Sequence, residues 1–159
     1  MSLVLALGTN LADRENNLIE ALKLIHLSYP IIALSKVYES EAVDYCDQPD
    51  FYNMVIECEL PRNRKPEDIM AHLLKIEKSL GRTRDIDKGP RLIDIDILFY
   101  GLDKINTEVL TTPHPRLFER SFVVLPLKEL PYFQVLKKHF SFPKKFDNCA
   151  QPKFDIKLA

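Results

Sequence analysis

Leu92-Ile93-Asp94-Ile95-Asp96-Ile97-Leu98-Phe99-Tyr100 reads as a buried β-strand carrying two carboxylates. Strand side chains alternate faces, so Asp94 and Asp96 project from one face while Ile93, Ile95 and Ile97 project from the other. Paired carboxylates among apolar neighbours repel each other and resist desolvation, and such a pair normally needs cations. Mg²⁺ is the simplest supply.

Just upstream, Gly81-Arg82-Thr83-Arg84-Asp85-Ile86-Asp87-Lys88-Gly89-Pro90-Arg91 has no helical or strand period and sets four cationic side chains against two acidic ones. It reads as a mobile basic loop. Mg²⁺ takes one or two carboxylates together with phosphate oxygens and water, and the planar fork of arginine suits phosphate, so the loop and strand together describe a site for a Mg²⁺-polyphosphate. The spacing alone also fits a solvated loop whose arginines neutralise the aspartates.

Further outward, Leu3 to Leu7 is a core strand ending at Gly8-Thr9-Asn10. Asp13 can cap a helix with Leu18, Ile19, Leu22 and Ile25 on one face, stopped by Pro30. Ile31 to Ser40 reads as one strand, 44–50 as a turn-rich loop, and Phe51 to Leu60 as a third strand. Pro66 opens a second helix, with Glu67 and Asp68 in its first turn and Ile69, Leu73, Ile76 and Leu80 at helical spacing until Gly81. With the Asp-x-Asp strand the order is βαββαβ. This predicts an α+β fold with a ferredoxin-like core, a mostly antiparallel sheet covered on one face by helices, plus C-terminal additions. Those additions are a polar hairpin at Asp103, Lys104 and Asn106, the bracketed Pro113-His114-Pro115, the apolar Phe122 to Leu127, and a tail over 143–159. The tail has four lysines and no clear period, and reads as frayed or ordered on contact.

At 159 residues, 46% hydrophobic and 28% charged, the chain is expected to be one domain, with its core over about 1–130. A net charge of −1 argues against nucleic-acid or anionic-membrane binding by bulk electrostatics. Cys46, Cys58 and Cys149 form no C-x-x-C pair, so neither a zinc ribbon nor a disulfide framework is suggested. There is no signal-like leader and no run long enough to span a bilayer, and a cytoplasmic monomer is the expectation.

With glycine only at 8, 81, 89 and 101, no glycine-rich phosphate cradle exists, so arginines must do that work. Candidates are Arg82, Arg84 and Arg91 from the basic loop and His114 and Arg120 from the proline-bracketed segment, with Arg116 read as a surface charge. A single loop histidine also fits a structural role. His26, His72 and His139 lack metal-ligand spacing, and no nucleophile elbow or zincin motif occurs. Asn53 beside Phe51 joins an amide to an aromatic plane, which suits a flat heterocycle but also fits a core aromatic next to a solvated amide. Phe122 carries the same ambiguity.

Three separated motifs, in order, reach further. Asp47-Gln48-Pro49-x-Phe51-x-Asn53, Gly89-Pro90-Arg91-x-x-Asp94-Ile95-Asp96-Ile97-Leu98 and Pro113-His114-Pro115-x-x-x-x-Arg120-x-Phe122-Val123 resemble the 6-hydroxymethyl-7,8-dihydropterin pyrophosphokinases of folate biosynthesis. The resemblance runs from Leu5-Ala6-Leu7-Gly8-Thr9-Asn10-Leu11 to about Leu130. It implies transfer of the pyrophosphoryl group of ATP to the pterin hydroxymethyl oxygen, with AMP released and two Mg²⁺ ions held by Asp94 and Asp96. Arg82 and Arg91 would act on phosphate and on charge at the bridge to AMP, with Arg84 beside them, and His114 and Arg120 would contact the triphosphate. Glu77, Ile97 and Thr111 would line the nucleotide pocket. Phe51 and Phe122 would sandwich the pterin, Asn53 would read its edge, and the backbone of Ser40 and Val43 would complete that reading. The chain departs from the commoner pattern at Ser40-Glu41, at Leu74, and at Lys88, where relatives often have tryptophan. Two other readings of the same residues are a palm-type two-metal nucleotidyl transferase, which would release pyrophosphate, and a non-catalytic ferredoxin-like ligand-binding module.

Overall fold

In the computed structural model, which describes residues 1–42, 48–81 and 92–158, the chain opens with β1 (Ser2–Thr9), buried along nearly its whole length. Helix α1 (Arg14–Ser28) starts where Asp13 accepts a 3.1 Å hydrogen bond from the Asn16 amide, and it buries Leu18, Ala21, Leu22 and Ile25. A carboxylate there satisfies an amide that the first turn would otherwise leave open. Strands β2 (Ile31–Leu34), β3 (Val37–Ser40) and β4 (Phe51–Glu59) follow. Helix α2 (Pro66–Ser79) has proline in its first turn and buries Ile69, Leu73, Ile76 and also Glu77. Strand β5 (Asp94–Tyr100) carries the two aspartates.

The sheet runs β5-β1-β4-β3 and every pairing is antiparallel. Two split units therefore interleave: β1-α1-β3 has β4 between its strands, and β4-α2-β5 has β1 between its strands. Ile31 to Ser40, expected as one strand, is broken in two. The pairing slips by one residue between Leu34 opposite Ile56 and Tyr38 opposite Asn53. Ser35 sits at the slip, its amide donating to Val55 O at 3.0 Å and its Oγ accepting from the Val55 amide at 2.9 Å. The hydroxyl stands in for a backbone acceptor, as in a bulge.

The tail is ordered on contact rather than frayed. Its lysine-rich, aperiodic stretch contains β8 (Ala150–Phe154), which pairs with β3 as the far edge of the sheet. Pro152 and the exposed side chains around it are tolerated because an edge strand needs hydrogen bonds on one side only. Between β5 and β8 come the short hairpin β6 (Ile105–Asn106) and β7 (Thr111–Thr112), a 3-10 turn at Leu117–Glu119, and helices α3 (Ser121–Leu127) and α4 (Phe133–Leu136).

Helices do not stop at one face. Leu3, Leu5 and Leu7 of β1 meet α1 and α2 on one side, whereas Val4, Val55 and Leu98 on the other are covered by Leu117, Val123, Val124, Leu127 and Leu136. The C-terminal additions thus bury the half of this second face near Val4 and Val55. The rest of that face, toward the ends of β1, β4 and β5, carries polar residues.

Candidate active site

Register fixes what those polar residues are. Gly8 of β1 lies opposite Asn53 of β4 on one side and Asp94 of β5 on the other, and Asn53 lies opposite Tyr38 of β3. One pleat further in, Ala6 lies between Val55 and Asp96. Residues in register share a face, so the face covered by α3 carries both aspartates, then a strand of small residues, then the amide.

The small residues leave room. A Cβ at Gly8 would stand 2.8 Å from Asn53 Oδ1 and 4.0 Å from Phe51 Cδ1, so the Asn53 amide lies directly over the Gly8 backbone. Asn53 Nδ2 donates to Ser40 Oγ at 3.3 Å, and Ser40 is opposite Phe51 across the β3–β4 pairing. Asn10, at the end of β1, donates from Nδ2 to Gln48 Oε1 at 2.8 Å and to Pro49 O at 3.0 Å, tying the segment before Phe51 to the sheet. Sequence reading missed Asn10 as an anchor. Its only sequence mark is an amide side chain in a turn directly after a buried strand.

Asp94 and Asp96 are partly buried, and between them the Ile95 amide donates to Glu77 Oε2 at 3.0 Å. Glu77 is almost wholly buried on α2. Because β5 is an edge strand, its outward amides have no strand partner, and the carboxylate supplies one at the residue separating the two aspartates. Among the described residues no group of three or more His, Cys, Asp or Glu side chains could hold a metal. A carboxylate pair is a donor set that fits Mg²⁺, which keeps water and phosphate oxygens as its other ligands.

His114 enters beside this edge. Its amide donates to Leu98 O at 3.1 Å, which lashes the proline-bracketed segment to β5. Burial lowers the imidazole pKa, the guanidinium groups of Arg120 and Arg116 add to that, and Asp94 opposes them. The ring is therefore neutral at pH 7, with one N–H to donate. Arg120 immediately precedes α3, and its guanidinium carbon lies 5.7 Å from the centroid of the Phe122 ring. Arg116 pairs with Glu119 at 3.7 Å on the surface, in keeping with its reading as a surface charge.

Ile97 is buried in the core beneath the helices, and Thr111 lies in the hairpin opposite Asn106. Val43, Arg82, Arg84, Lys88 and Arg91 lie outside the described residues. The described candidates thus fall into a carboxylate pair with His114 at one edge, Phe51 and Asn53 two strands away on β4, and Ser40 beside them on β3. Phe122 comes from α3, which packs on β3 and β4, and Arg120 from the residue just before it.

Comparison with known proteins adds independent findings. Residues 4–132 match the family model described as 7,8-dihydro-6-hydroxymethylpterin-pyrophosphokinase (HPPK). The 2-amino-4-hydroxy-6-hydroxymethyldihydropteridine pyrophosphokinase of Bacillus subtilis is 41% identical over 128 residues, covering 79% of this chain and 75% of that protein. Folic acid synthesis protein fol1 of Pneumocystis carinii is 43% identical over 127 residues, covering 79% of this chain but 17% of that longer protein. Among solved structures, the Plasmodium falciparum HPPK-DHPS triple mutant S436F/A437G/A613T superposes with a TM-score of 0.58 at 17% identity, over 81% of this chain and 39% of that one, a likeness of fold. The chain therefore spans less than half of several relatives it matches. No helix among the described residues is long and apolar enough to cross a membrane.

Proposed function

Because this chain belongs to the 7,8-dihydro-6-hydroxymethylpterin-pyrophosphokinase family, we propose that it transfers the pyrophosphoryl group of ATP to 6-hydroxymethyl-7,8-dihydropterin, a step of folate biosynthesis. The observation that carries this reading is the spacing of the two clusters on one sheet face. Asp94 and Asn53 stand on strands two apart with Gly8 between them, a span of roughly 10 Å at ordinary strand spacing. That span suits a pterin lying across β1 with its hydroxymethyl arm directed at the carboxylates.

In this reading Asn53 pairs with the amide edge of the ring, the backbone of Ser40 and Val43 completes the recognition, and Phe51 and Phe122 stack on its two faces. Recognition of this kind discriminates strongly, because a wrong heterocycle leaves the half-buried amide unpaired. Asp94 and Asp96 would hold Mg²⁺, two ions on the family pattern, which neutralises phosphate oxygens when bound. The hydroxymethyl oxygen attacks the β-phosphorus and loses its proton to water. The bond from that phosphorus to the oxygen bridging the α- and β-phosphates breaks, and AMP leaves with the electron pair. Neutral His114 donates a hydrogen bond to the triphosphate, and Arg120 adds fixed positive charge. Arg82, Arg84 and Arg91 hold phosphate and the charge that develops on the bridge, while Thr111 borders the nucleotide and the buried Glu77 and Ile97 support that border from within the core. Positioning and electrostatics account for catalysis, with no covalent intermediate.

The catalytic unit in this reading is a monomer working in a cytoplasmic setting. Incubation with ATP, Mg²⁺ and the hydroxymethyl pterin should give AMP and a pterin diphosphate in equal amounts. Release of pyrophosphate, or no Mg²⁺-dependent turnover at all, would refute the proposal.

A further inference from the structure

We propose that Asn148, in the C-terminal segment beyond the family match, is a positioning residue that sets Arg120 and Phe122 for substrate binding. The inference rests on the reading of those two residues given above. Asn148 Oδ1 accepts from the Ser121 amide at 2.8 Å and from Ser121 Oγ at 2.5 Å, and Asn148 Nδ2 donates to Glu119 O at 2.8 Å and to Asp147 Oδ1 at 2.9 Å. One side chain thus grips the backbone on both sides of Arg120 and directly before Phe122. The first amides of a helix have no backbone partner within it, so an acceptor for Ser121 has to come from outside the helical ladder.

The grip has a fixed base. Two residues after Asn148, Ala150 starts β8 and lies opposite Ser40, which is itself opposite Phe51. The segment holding α3 is therefore registered to the strand end that carries the amide and aromatic of the pterin-reading cluster. The far end of the helical segment is tied to the same strand: Glu129 accepts from the Lys36 amide at 2.9 Å and from the Tyr38 hydroxyl, and Tyr38 is opposite Asn53. With both ends tied to β3, the distance from Phe122 to Phe51 is set by the sheet rather than by the turn alone.

The test measures binding of 6-hydroxymethylpterin and of a Mg²⁺-bound, non-hydrolysable ATP analogue to wild type, Asn148→Ala, Asn148→Asp and the control Ser2→Ala. Ser2 donates to Glu57 at 2.7 Å at the opposite end of β1, so its loss lowers stability without touching α3. Asn148→Ala should weaken both ligands about fivefold to tenfold, the range expected when a helix-start contact is lost and the groups it aims are freed. Asn148→Asp keeps an acceptor for Ser121 but loses the link to Glu119 and turns the bond to Asp147 into repulsion, so it should recover pterin binding in part and leave the analogue weakened. Ser2→Ala should lower Tm with affinities unchanged. Unchanged affinities in Asn148→Ala, or a loss in Ser2→Ala matching it, would overturn the proposal. If wild type itself binds neither ligand, the functional reading fails and this role fails with it, a result distinct from a normal wild type beside a normal Asn148→Ala.

Discussion

Replacing Gly8 with alanine separates recognition from stability. The added methyl would sit 2.8 Å from Asn53 Oδ1 and at ordinary contact distance, 3.9 and 4.0 Å, from Asn53 Cγ and Phe51 Cδ1. The only atom that must move is the tip of a side chain, and a shift of roughly half an ångström clears it. Half an ångström is also about the tolerance of a working binding constellation. The backbone at Gly8 needs no left-handed conformation, since only Gly81 and Gly101 have positive φ among the described glycines. Alanine in a strand also gives back about 0.5–1 kcal/mol relative to glycine, which offsets the displacement of the amide. Tm should therefore stay within a few degrees of wild type. Pterin binding, by contrast, loses one or two well-formed hydrogen bonds, about 1–2 kcal/mol and so roughly a fivefold to thirtyfold rise in Kd. Asp94 pairs with Gly8 through the backbone only, and binding of the Mg²⁺-bound ATP analogue should change less than twofold. Calorimetric titration with each ligand and a thermal melt measure all three. A Gly8→Ala protein that binds pterin as wild type does would show that the Asn53 amide is not what reads the ring.

Asp96→Asn keeps volume and removes one charge of the pair; turnover should fall on the order of 10³-fold, about 4 kcal/mol of transition-state stabilisation, with Tm unchanged or raised, and near-normal turnover would dismiss the metal assignment. Glu77→Ala strands the buried Ile95 amide, which costs about 1–3 kcal/mol in a denaturant titration, whereas Glu77→Gln retains an acceptor and should recover most of it; equal stability of the two variants would contradict the edge-strand role. The His72 imidazole bonds the Tyr29 hydroxyl at 2.7 Å, and burial, Arg64 and Lys75 lower its pKa, so the unfolded chain takes up the proton first. The contribution is complete above about pH 6.5 and is lost as pH falls through the lowered folded value. Melts from about pH 7.5 down to pH 5 should show a decline in Tm that His72→Gln flattens.

The sequence showed the layer against the helices more clearly than the layer opposite. Leu18, Leu22 and Ile25 on α1, and Ile69, Leu73 and Ile76 on α2, repeat at helical spacing because each helix has one buried face, and Asp13 and Pro66 mark their starts. Strand β8 lacked such a mark: as an edge strand it exposes Gln151, Pro152 and Lys153, so no period-two pattern forms. The break at Ser35 was also hidden, since a bulge depends on which carbonyl a hydroxyl replaces and that is a property of the partner strand. Burial of Val123, Val124 and Leu127 could be anticipated from composition, but the surface they cover could not, because it is assembled from alternate residues of β1, β4 and β5.

The same physics divides the site. Asp94 and Asp96 were legible because two charges in an apolar strand violate its local pattern, and a violation needs a cause. Gly8, Asn10 and Asn148 violate nothing; each is a small or amide residue in a turn or strand end, where such residues are common. What makes them matter is the neighbour that the fold brings in: the Asn53 amide over Gly8, the Gln48–Pro49 segment at Asn10, and the start of α3 at Asn148. The groups proposed for the chemistry therefore show in the sequence as local cost, and those proposed to position them show only as contacts between distant segments. The first kind can be found by reading one strand; the second requires the register of four.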